Sequence, residues 1–587
     1  MNMGKIKQSK AKHLVIFLAL AAGTIITYRT VDARTLSVVC TCDLHGRIEP
    51  RVRYWSKGRK VGGLAYFAGY LQILKQANDD QVLLLDAGDM WQGTLVSDLA
   101  EGRPIVKFYN MLGYEAVAIG NHEFDFGPKG PSSTPTTPLD DCLGAIKENS
   151  RAAGFPFLLA NAVFRDTGKP IAPGFLKPSV LIEQGGIPVG IIGVTTVSTG
   201  KVTNPANVTD ITFTPTSDAV KREIFKLRHK GASIIIVLAH MGAHWDTEDS
   251  NFKGEVIDLA RAIGPGALGD KAADLICAAH THSRLDLVVH GVPVVQAYAY
   301  GTAFSRVDIP VDDDSGRASR FQVLIHPPQT IWADNGGGKT KAGRYMGKPI
   351  VRNKKIADAV EKEMRPIRRL KTHIIGTLKL RLTRMGKFGS PLGALVTRAM
   401  LSFVPGADLA VTNSGAIRSD LGPGVITYGA LYKTLPFTDH LVSGILTGRQ
   451  LFKMFEESLD NGLLELAGAT VTLDPSAPVG HRITSVKVHK KGMVRPDGSY
   501  KVVFQDFLLA GGDGYTVFKN ATGISHHEVS MRESVVKYIQ NNRNINRITG
   551  RTGNITSYKL EKKDRTKKRR HGKKSKGDRL PPDLIYH

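Results

Sequence analysis

Short runs rich in Val, Ile or Leu recur between residues 35 and 325: Leu36–Val39, Val82–Leu85, Val117–Ile119, Val189–Val194, Ile234–Leu238, Leu275–Ala278 and Val292–Gln296. Runs this short and this apolar read as buried strands. Between them lie helix-like segments such as Leu64–Gln76 and Ser217–Lys230. The alternation predicts an α/β domain whose sheets are covered by helices. Immediately beyond these strands stand Asp43 and His45, Asp89, Asn121 and His122, His240, and His280 and His282. Asp43/His45 and His280/His282 are i,i+2 pairs, so both members of a pair can point the same way at a strand end. In open α/β sheets, sites gather beyond the carboxyl ends of the strands, which allows five strand ends to deliver oxygen and nitrogen ligands to one place.

Carboxylates mixed with imidazoles suit Zn²⁺, Mn²⁺, Fe or Co²⁺ rather than Ca²⁺. Seven such ligands are too many for one ion and suit two, with Asp89 as the candidate bridge. Two metals ~3.5–4 Å apart clamp the attacking and leaving oxygens of a phosphoryl transfer.

Asp43-Leu44-His45-Gly46, Gly88-Asp89-Met90-Trp91-Gln92-Gly93, Gly120-Asn121-His122-Glu123-Phe124-Asp125, Ala239-His240-Met241-Gly242 and Ala279-His280-Thr281-His282 follow in order. Their order and spacing resemble the calcineurin-like metallophosphoesterase pattern. Further on, Asn413-Ser414-Gly415-Ala416-Ile417-Arg418, Leu435-Pro436-Phe437 and Phe507 to Gly511-Gly512-Asp513-Gly514-Tyr515 resemble the C-terminal substrate domain of the secreted 5′-nucleotidase family. The resemblance implies a four-layer metallophosphoesterase domain joined by a helix to a smaller α/β substrate-binding domain, with domain rotation carrying substrate to the metals. It implies that Asp43, His45, Asp89 and His282 hold one ion (Zn, Mn or Co) and Asp89, Asn121, His240 and His280 the other. It implies that His122 stabilises charge on the transferring phosphoryl group and that Asp125 orients it, an i,i+3 pair that fits one helical turn. Asn413 and Arg418 would contact substrate, Asp513 the ribose, and Phe437 and Phe507 would sandwich the base.

The sequence departs from the family pattern in places. Ala279 stands where Gly is usual. The phosphate-facing Arg ahead of the helix start is out of register in Arg384-Met385-Gly386-Lys387-Phe388-Gly389-Ser390, leaving Arg384, Lys387 or neither to replace it. Cys40 and Cys42 precede Asp43; Cys42 reads as a strand-end residue, with an extra soft ligand as the alternative.

Boundaries are set by composition. Residues 1–33 read as a signal peptide: Lys5, Lys7, Lys10 and Lys12, an apolar run Leu14 to Ile26, then Val31-Asp32-Ala33. An uncleaved anchor is the alternative. The metallophosphoesterase domain takes 34–325 and the C-terminal domain 372–548. Residues 326–371 read as a linker, within polar territory from Asp312 to Gly347, followed by the charged helix Lys354 to Leu370, which Pro366 should kink or stop. Gly127 to Pro138 reads as a surface loop. Residues 549–587 read as a disordered basic tail: from Lys559 to Arg579 there are 12 Lys/Arg against 3 Asp/Glu, a composition suited to attachment to a polyanionic surface.

The 587 residues carry 79 Lys+Arg and 53 Asp+Glu, a formal charge of +26, with 42% hydrophobic and 22% charged residues. That composition excludes a wholly disordered chain. Four cysteines exclude a disulfide-rich scaffold; they allow three pairings, and Cys40 and Cys277, both in predicted strands, read equally well as free core thiols. Asn207-Val208-Thr209, Asn520-Ala521-Thr522 and Asn554-Ile555-Thr556 fit the N-glycosylation pattern. No zinc-finger or single-strand-binding pattern accompanies the basic excess, so specific nucleic-acid binding is not expected. The reading is a secreted two-metal phosphohydrolase acting on nucleotide 5′-phosphates. Its rivals are a phosphodiesterase, a nucleoside di/triphosphate or nucleotide-sugar hydrolase on the same site, or an inactive metal-binding surface-attachment protein.

Overall fold

The computed structural model describes residues 34–542 and 558–560, apart from 79–80, 131–133, 136–138, 172–173, 313–317, 319–321, 335–341 and 387–388. The signal segment, most of the basic tail, part of the loop from Gly127 to Pro138, Lys387 and Asn554 therefore lie outside the described residues.

A seven-stranded sheet runs in the order Leu324–Thr330, Ala303–Val311, Arg34–Thr41, Val82–Asp86, Ala116–Ala118, Phe157–Leu158, Leu176–Lys177. A six-stranded sheet runs Arg284–Val289, Val292–Ala297, Leu275–Ala278, Ile234–His240, Ile187–Thr195, Ser179–Gln184. The central strands of both are parallel and apolar on both faces, as burial on both sides requires. Leu36, Val38, Leu83 and Leu85 of the first sheet interleave with Val189, Ile191, Ile236 and Leu275 of the second. Helices Leu64–Ala77 and Arg103–Leu112 cover the outer face of the first sheet. Helices Thr216–His229 and Glu255–Ile263 cover that of the second. The result is four layers, helix, sheet, sheet, helix.

The two sheets are also joined covalently. Cys40 pairs with Cys277, so neither is a free core thiol: adjacent parallel sheets bring their facing central strands within bridging distance, with Cα atoms 6.4 Å apart.

Three sequence readings are corrected. Leu324–Thr330, within the polar stretch read as linker, is the edge strand of the first sheet, paired antiparallel with Ala303–Val311; one face of an edge strand meets water, so its polarity hid it. The helix Lys354–Thr372 runs through Pro366. Ile356, Ala357, Val360 and Met364 anchor it in the first core, while Pro366 lies on the exposed face, where water can satisfy the carbonyl left without a donor. Tyr558–Leu560, inside the stretch read as disordered tail, pairs in parallel with Ala469–Leu473, because the open sheet edge offers unpaired backbone groups.

Beyond that helix, a five-stranded mixed sheet runs Leu464–Ala467, Leu409–Asn413, Ser499–Gln505, His440–Thr447, Thr522–Ser530. Helices Pro391–Phe403 and Met531–Asn541 pack on one face and Gly448–Asn461 on the other. The strand Ser499–Gln505 gives way directly to a short helix, Asp506–Leu509.

Candidate active site

Every candidate metal ligand of the first domain sits at or just past the end of a strand: Asp43 and His45 after Arg34–Thr41, Asp89 after Val82–Asp86, Asn121 after Ala116–Ala118, His240 closing Ile234–His240, and His280 and His282 after Leu275–Ala278. The chain must turn sharply there. Asp43, His45, Asp89, His280 and His282 all adopt positive φ, between 50° and 72°, a strained region in which Asp and His are enriched and which clusters at functional sites. Gly120 permits a close approach: a Cβ there would lie 2.2 Å from Asp89 Oδ1. Ala279 is not among the positive-φ residues, so its methyl group replaces the usual glycine without backbone cost.

Two clusters converge, Asp43 with His45 and His282, and Asp89 with His240 and His280. Asp89 Oδ2 faces both, 3.2 Å from His240 Nε2 and 3.8 Å from His45 Nε2. The ring orientations are held from behind. His45 Nδ1 lies 2.9 Å from the Gln92 carbonyl and His240 Nδ1 3.0 Å from that of Ala87. A carbonyl only accepts, so both Nδ1 atoms carry the proton and both Nε2 atoms present lone pairs. His45 Nε2 lies 3.1 Å from His282 Nε2, and His240 Nε2 lies 3.1 Å from Asn121 Oδ1. Asn121 donates its Nδ2 to the Val202 carbonyl, which turns Oδ1 inward. In the neutral rings the Nε2 lone pairs of His45 and His240 point into the site beside Asp89 and Asn121 Oδ1, an arrangement that suits cations.

The electrostatics agree. Burial pushes His45 down to about 3, His280 to about 4 and His282 well below the usual range, leaving neutral imidazoles ready to ligate. Burial pushes Asp43 up to about 7. His240 goes the other way: burial would lower it, but Asp89 raises it to about 9. Asp89 itself stays well below the carboxylate range, held there against burial by His240 and His122. The pocket demands positive charge. Cys42 is not part of the demand: burial and the Asp43 carboxylate push its thiol well up, and it donates to the Tyr298 carbonyl at 3.2 Å.

His122 and Asp125 form a close pair, with Nδ1 2.5 Å from Oδ2, and Thr203 donates to Asp125 Oδ1 at 2.9 Å. Burial opposes a charge on His122, but Asp125 and Asp89 raise it to about 8, so at neutral pH its Nε2 presents a proton. His122 N also donates to Asp89 Oδ1. The His122 ring faces Phe437 of the second domain, centroids 6.0 Å apart at 28°. The Arg418 guanidinium lies 5.9 Å from the same Phe437 ring, and its charge reaches His45, His122, His280 and His282. Asn413 donates to Asp513 at 2.6 Å, and Phe507 packs over Gly512, the neighbour of Asp513. Phe437 and Phe507 are both partly exposed, and Phe507 also packs against the second domain's core. Arg384 turns its guanidinium to the Ile417 carbonyl, beside Arg418.

Two supporting residues escaped sequence reasoning. Glu123, fully buried, accepts from the backbone N–H groups of Asp89, Met90 and Gly120 at 2.7–2.8 Å, clamping two ligand loops together. Its place inside the motif Gly120-Asn121-His122-Glu123-Phe124-Asp125 was the available signal. Arg532 donates one Nη1 to the carbonyls of Leu435, Pro436 and Phe437 and so sets the Phe437 loop; nothing local marks it. Conversely, Asn207 is no glycan acceptor in the folded chain, being buried with its Nδ2 on the Phe124 carbonyl.

A four-layer α/β fold with paired His/Asp clusters at its strand ends defines a metal-dependent phosphoesterase of the calcineurin-like class. Residues 36–284 match the family described as calcineurin-like phosphoesterase and residues 374–520 match the 5′-nucleotidase C-terminal domain. The chain belongs to the 5′-nucleotidase family. It is 27% identical to Protein UshA of Escherichia coli over 569 residues, 92% of this chain and 96% of that one. It is 27% identical to Endonuclease YhcR of Bacillus subtilis over 494 residues, 81% of this chain and 37% of that longer protein. The crystal structure of a 5′-nucleotidase precursor from Thermus thermophilus superposes with a TM-score of 0.69 at 26% identity, covering 90% of this chain and all of that one.

Proposed function

We propose that the protein removes the 5′-phosphate of nucleotides, that it is secreted, and that it works as two units, the first running from residue 34 through the edge strand Leu324–Thr330 and the second beginning after the connecting helix Lys354–Thr372. Asp43, His45, Asp89 and His282 would hold one divalent cation and Asp89, Asn121, His240 and His280 the other, with zinc, manganese and cobalt all suited to the donor set. Such a pair supplies an activated water and a clamp on the phosphoryl oxygens. The chain does the rest. His122, kept protonated by Asp125, donates to the phosphoryl group as charge builds on it. Arg418 brings a second positive charge from the other domain. Phe437 and Phe507 stack on the base, and Asp513, steadied by Asn413, binds the ribose.

The observation that carries this reading is the Phe437 ring against His122 with the Arg418 guanidinium on that same ring: the substrate domain brings an aromatic ring and a cation beside the His122–Asp125 pair. Secretion agrees with the sequence of residues 1–33, and no helix among the described residues is long and apolar enough to cross a membrane. A panel of nucleoside monophosphates, diphosphates, cyclic nucleotides and nucleotide sugars on metal-reconstituted protein tests the assignment. Preferred hydrolysis of a 5′-monophosphate is expected. A kcat/KM led by a cyclic nucleotide or nucleotide sugar would replace the nucleotidase with one of its rivals.

A further inference from the structure

Starting from Phe437 and moving across the active site, one meets His122, His45 and Tyr300 in turn, with successive ring centroids 6.0, 5.4 and 5.5 Å apart. Three guanidinium groups gather on the Tyr300 ring, Arg53 at 4.8 Å, Arg51 at 4.9 Å and Arg47 at 5.7 Å from its centroid. Arg53 Nη2 donates to the Tyr298 hydroxyl at 3.3 Å. Otherwise these groups are poorly satisfied. Arg47 Nε, Arg51 Nε and Nη2, and Arg53 Nε are buried with no hydrogen-bond partner among the described residues. Buried donors of a charged group are normally paired, and a set left open calls for a missing anion.

Lys433, on the second domain four residues before Phe437 and exposed, lies close enough to feel the charge of the same group. Burial, then the charges of Arg51, Arg47 and Arg53, push its ammonium down to about 8. Burial and the neighbouring Arg47 and Arg53 push Arg51 down to about 8. Like charges do not collect without cause next to a phosphoryl-transfer centre. Guanidinium forks match phosphate oxygens, and stacking on an aromatic ring orders them before the ligand arrives.

We propose that Arg47, Arg51 and Arg53, with Lys433 nearby, form a second anion subsite that takes a further phosphate group of the substrate, beyond the one at the metal centre. This rests on the phosphohydrolase reading and sharpens it toward nucleotides that carry more than one phosphate. That second phosphate can lie in the phosphate chain, on the ribose, or on a following nucleotide.

The test compares wild-type enzyme with R51Q/R53Q and with each single variant on AMP, ADP, adenosine 3′,5′-bisphosphate and the dinucleotide pApA. At least one multiply phosphorylated substrate should lose roughly tenfold or more in kcat/KM, as one charge-assisted contact to phosphate contributes, while AMP stays within about twofold. The substrate that loses most tells where the second phosphate sits. Melting temperature separates binding from architecture. Relieving unpaired like charges should leave Tm unchanged or raise it. Equal losses on all four substrates, or a lowered Tm with no substrate dependence, would overturn the subsite and make the arginines structural. If wild-type enzyme turns over none of the four, the phosphohydrolase reading fails separately, and binding decides. A Tm rise with a multiply phosphorylated ligand that exceeds the AMP rise and vanishes in R51Q/R53Q supports the subsite; equal rises overturn it.

Discussion

Asp89 accepts the His122 backbone N–H through one oxygen and turns the other toward His45 and His240. A carboxylate between two cations lowers their mutual repulsion, so its loss is felt at both positions. Asp89→Ala should therefore release more metal and more activity than Asn121→Ala, measured by elemental analysis and kcat on one substrate. Chelator should abolish hydrolysis, and added Mn²⁺, Co²⁺ or Zn²⁺ should restore it. Equal metal retention in the two variants would contradict the bridging role. His122 belongs to neither metal cluster, so His122→Ala should keep its metal and lose ~10²–10³ in turnover, the usual effect of removing one charge-stabilising donor. Asp125→Asn should cost less, because the ring keeps part of its orientation. Near-normal turnover in both would exclude the pair from the chemistry.

At the scale of elements, the strand ends do the positioning and the second domain's helix caps show how buried acids serve them. Glu465, on the strand Leu464–Ala467, accepts from Ser390 N and Ser390 Oγ at 2.9 and 2.7 Å, at the start of the helix Pro391–Phe403. Burial raises its carboxyl to about 7. In the unfolded chain a Glu titrates near ~4.3. Between those values the folded state holds the proton more tightly, so the group's contribution falls as pH rises through the window and is fully unfavourable above about 7. Glu465→Gln removes that slope. Chemical denaturation at intervals from acidic to mildly alkaline pH should show the wild type losing stability relative to Glu465→Gln as pH rises; parallel curves would mean that the carboxyl is not perturbed. The strands and helices themselves were largely readable, since apolar runs and strand-end ligands are local patterns. Leu324–Thr330 was not, because an edge strand with a wet face has the polarity of a linker. The helix Lys354–Thr372 was readable as a helix, but its continuation past Pro366 was not, because its anchor is the first domain's core rather than its own sequence.

At the scale of the whole molecule, metal cluster and nucleotide-type surface come from different domains. They are held together by Tyr432 donating to Asp98 at 2.6 Å, while the connecting helix is rooted in the first core and pairs its Lys371 with Glu49. Base preference must arise in the second domain, since metals handle phosphate whatever it is attached to. Base–aromatic stacking is typically ~1–3 kcal/mol by alanine substitution, roughly 5- to 150-fold in kcat/KM. Phe507→Ala should lower kcat/KM for a nucleoside 5′-monophosphate by that range and barely change glycerol phosphate hydrolysis. Equal losses on both would make Phe507 a packing residue.

By itself, the sequence determined most strands of the first domain, the candidate ligand residues at their ends and the presence of a second α/β unit, because each is written in a few neighbouring residues. The tertiary structure alone decided the rest. It paired Cys40 with Cys277 across two sheets and set Glu123 across two loops. It drew Arg532 under the Phe437 loop and crowded Arg47, Arg51 and Arg53 onto Tyr300. Each of these joins residues far apart in the chain through geometry that only the packed sheets and the domain interface supply, and no local pattern of side chains encodes such distances.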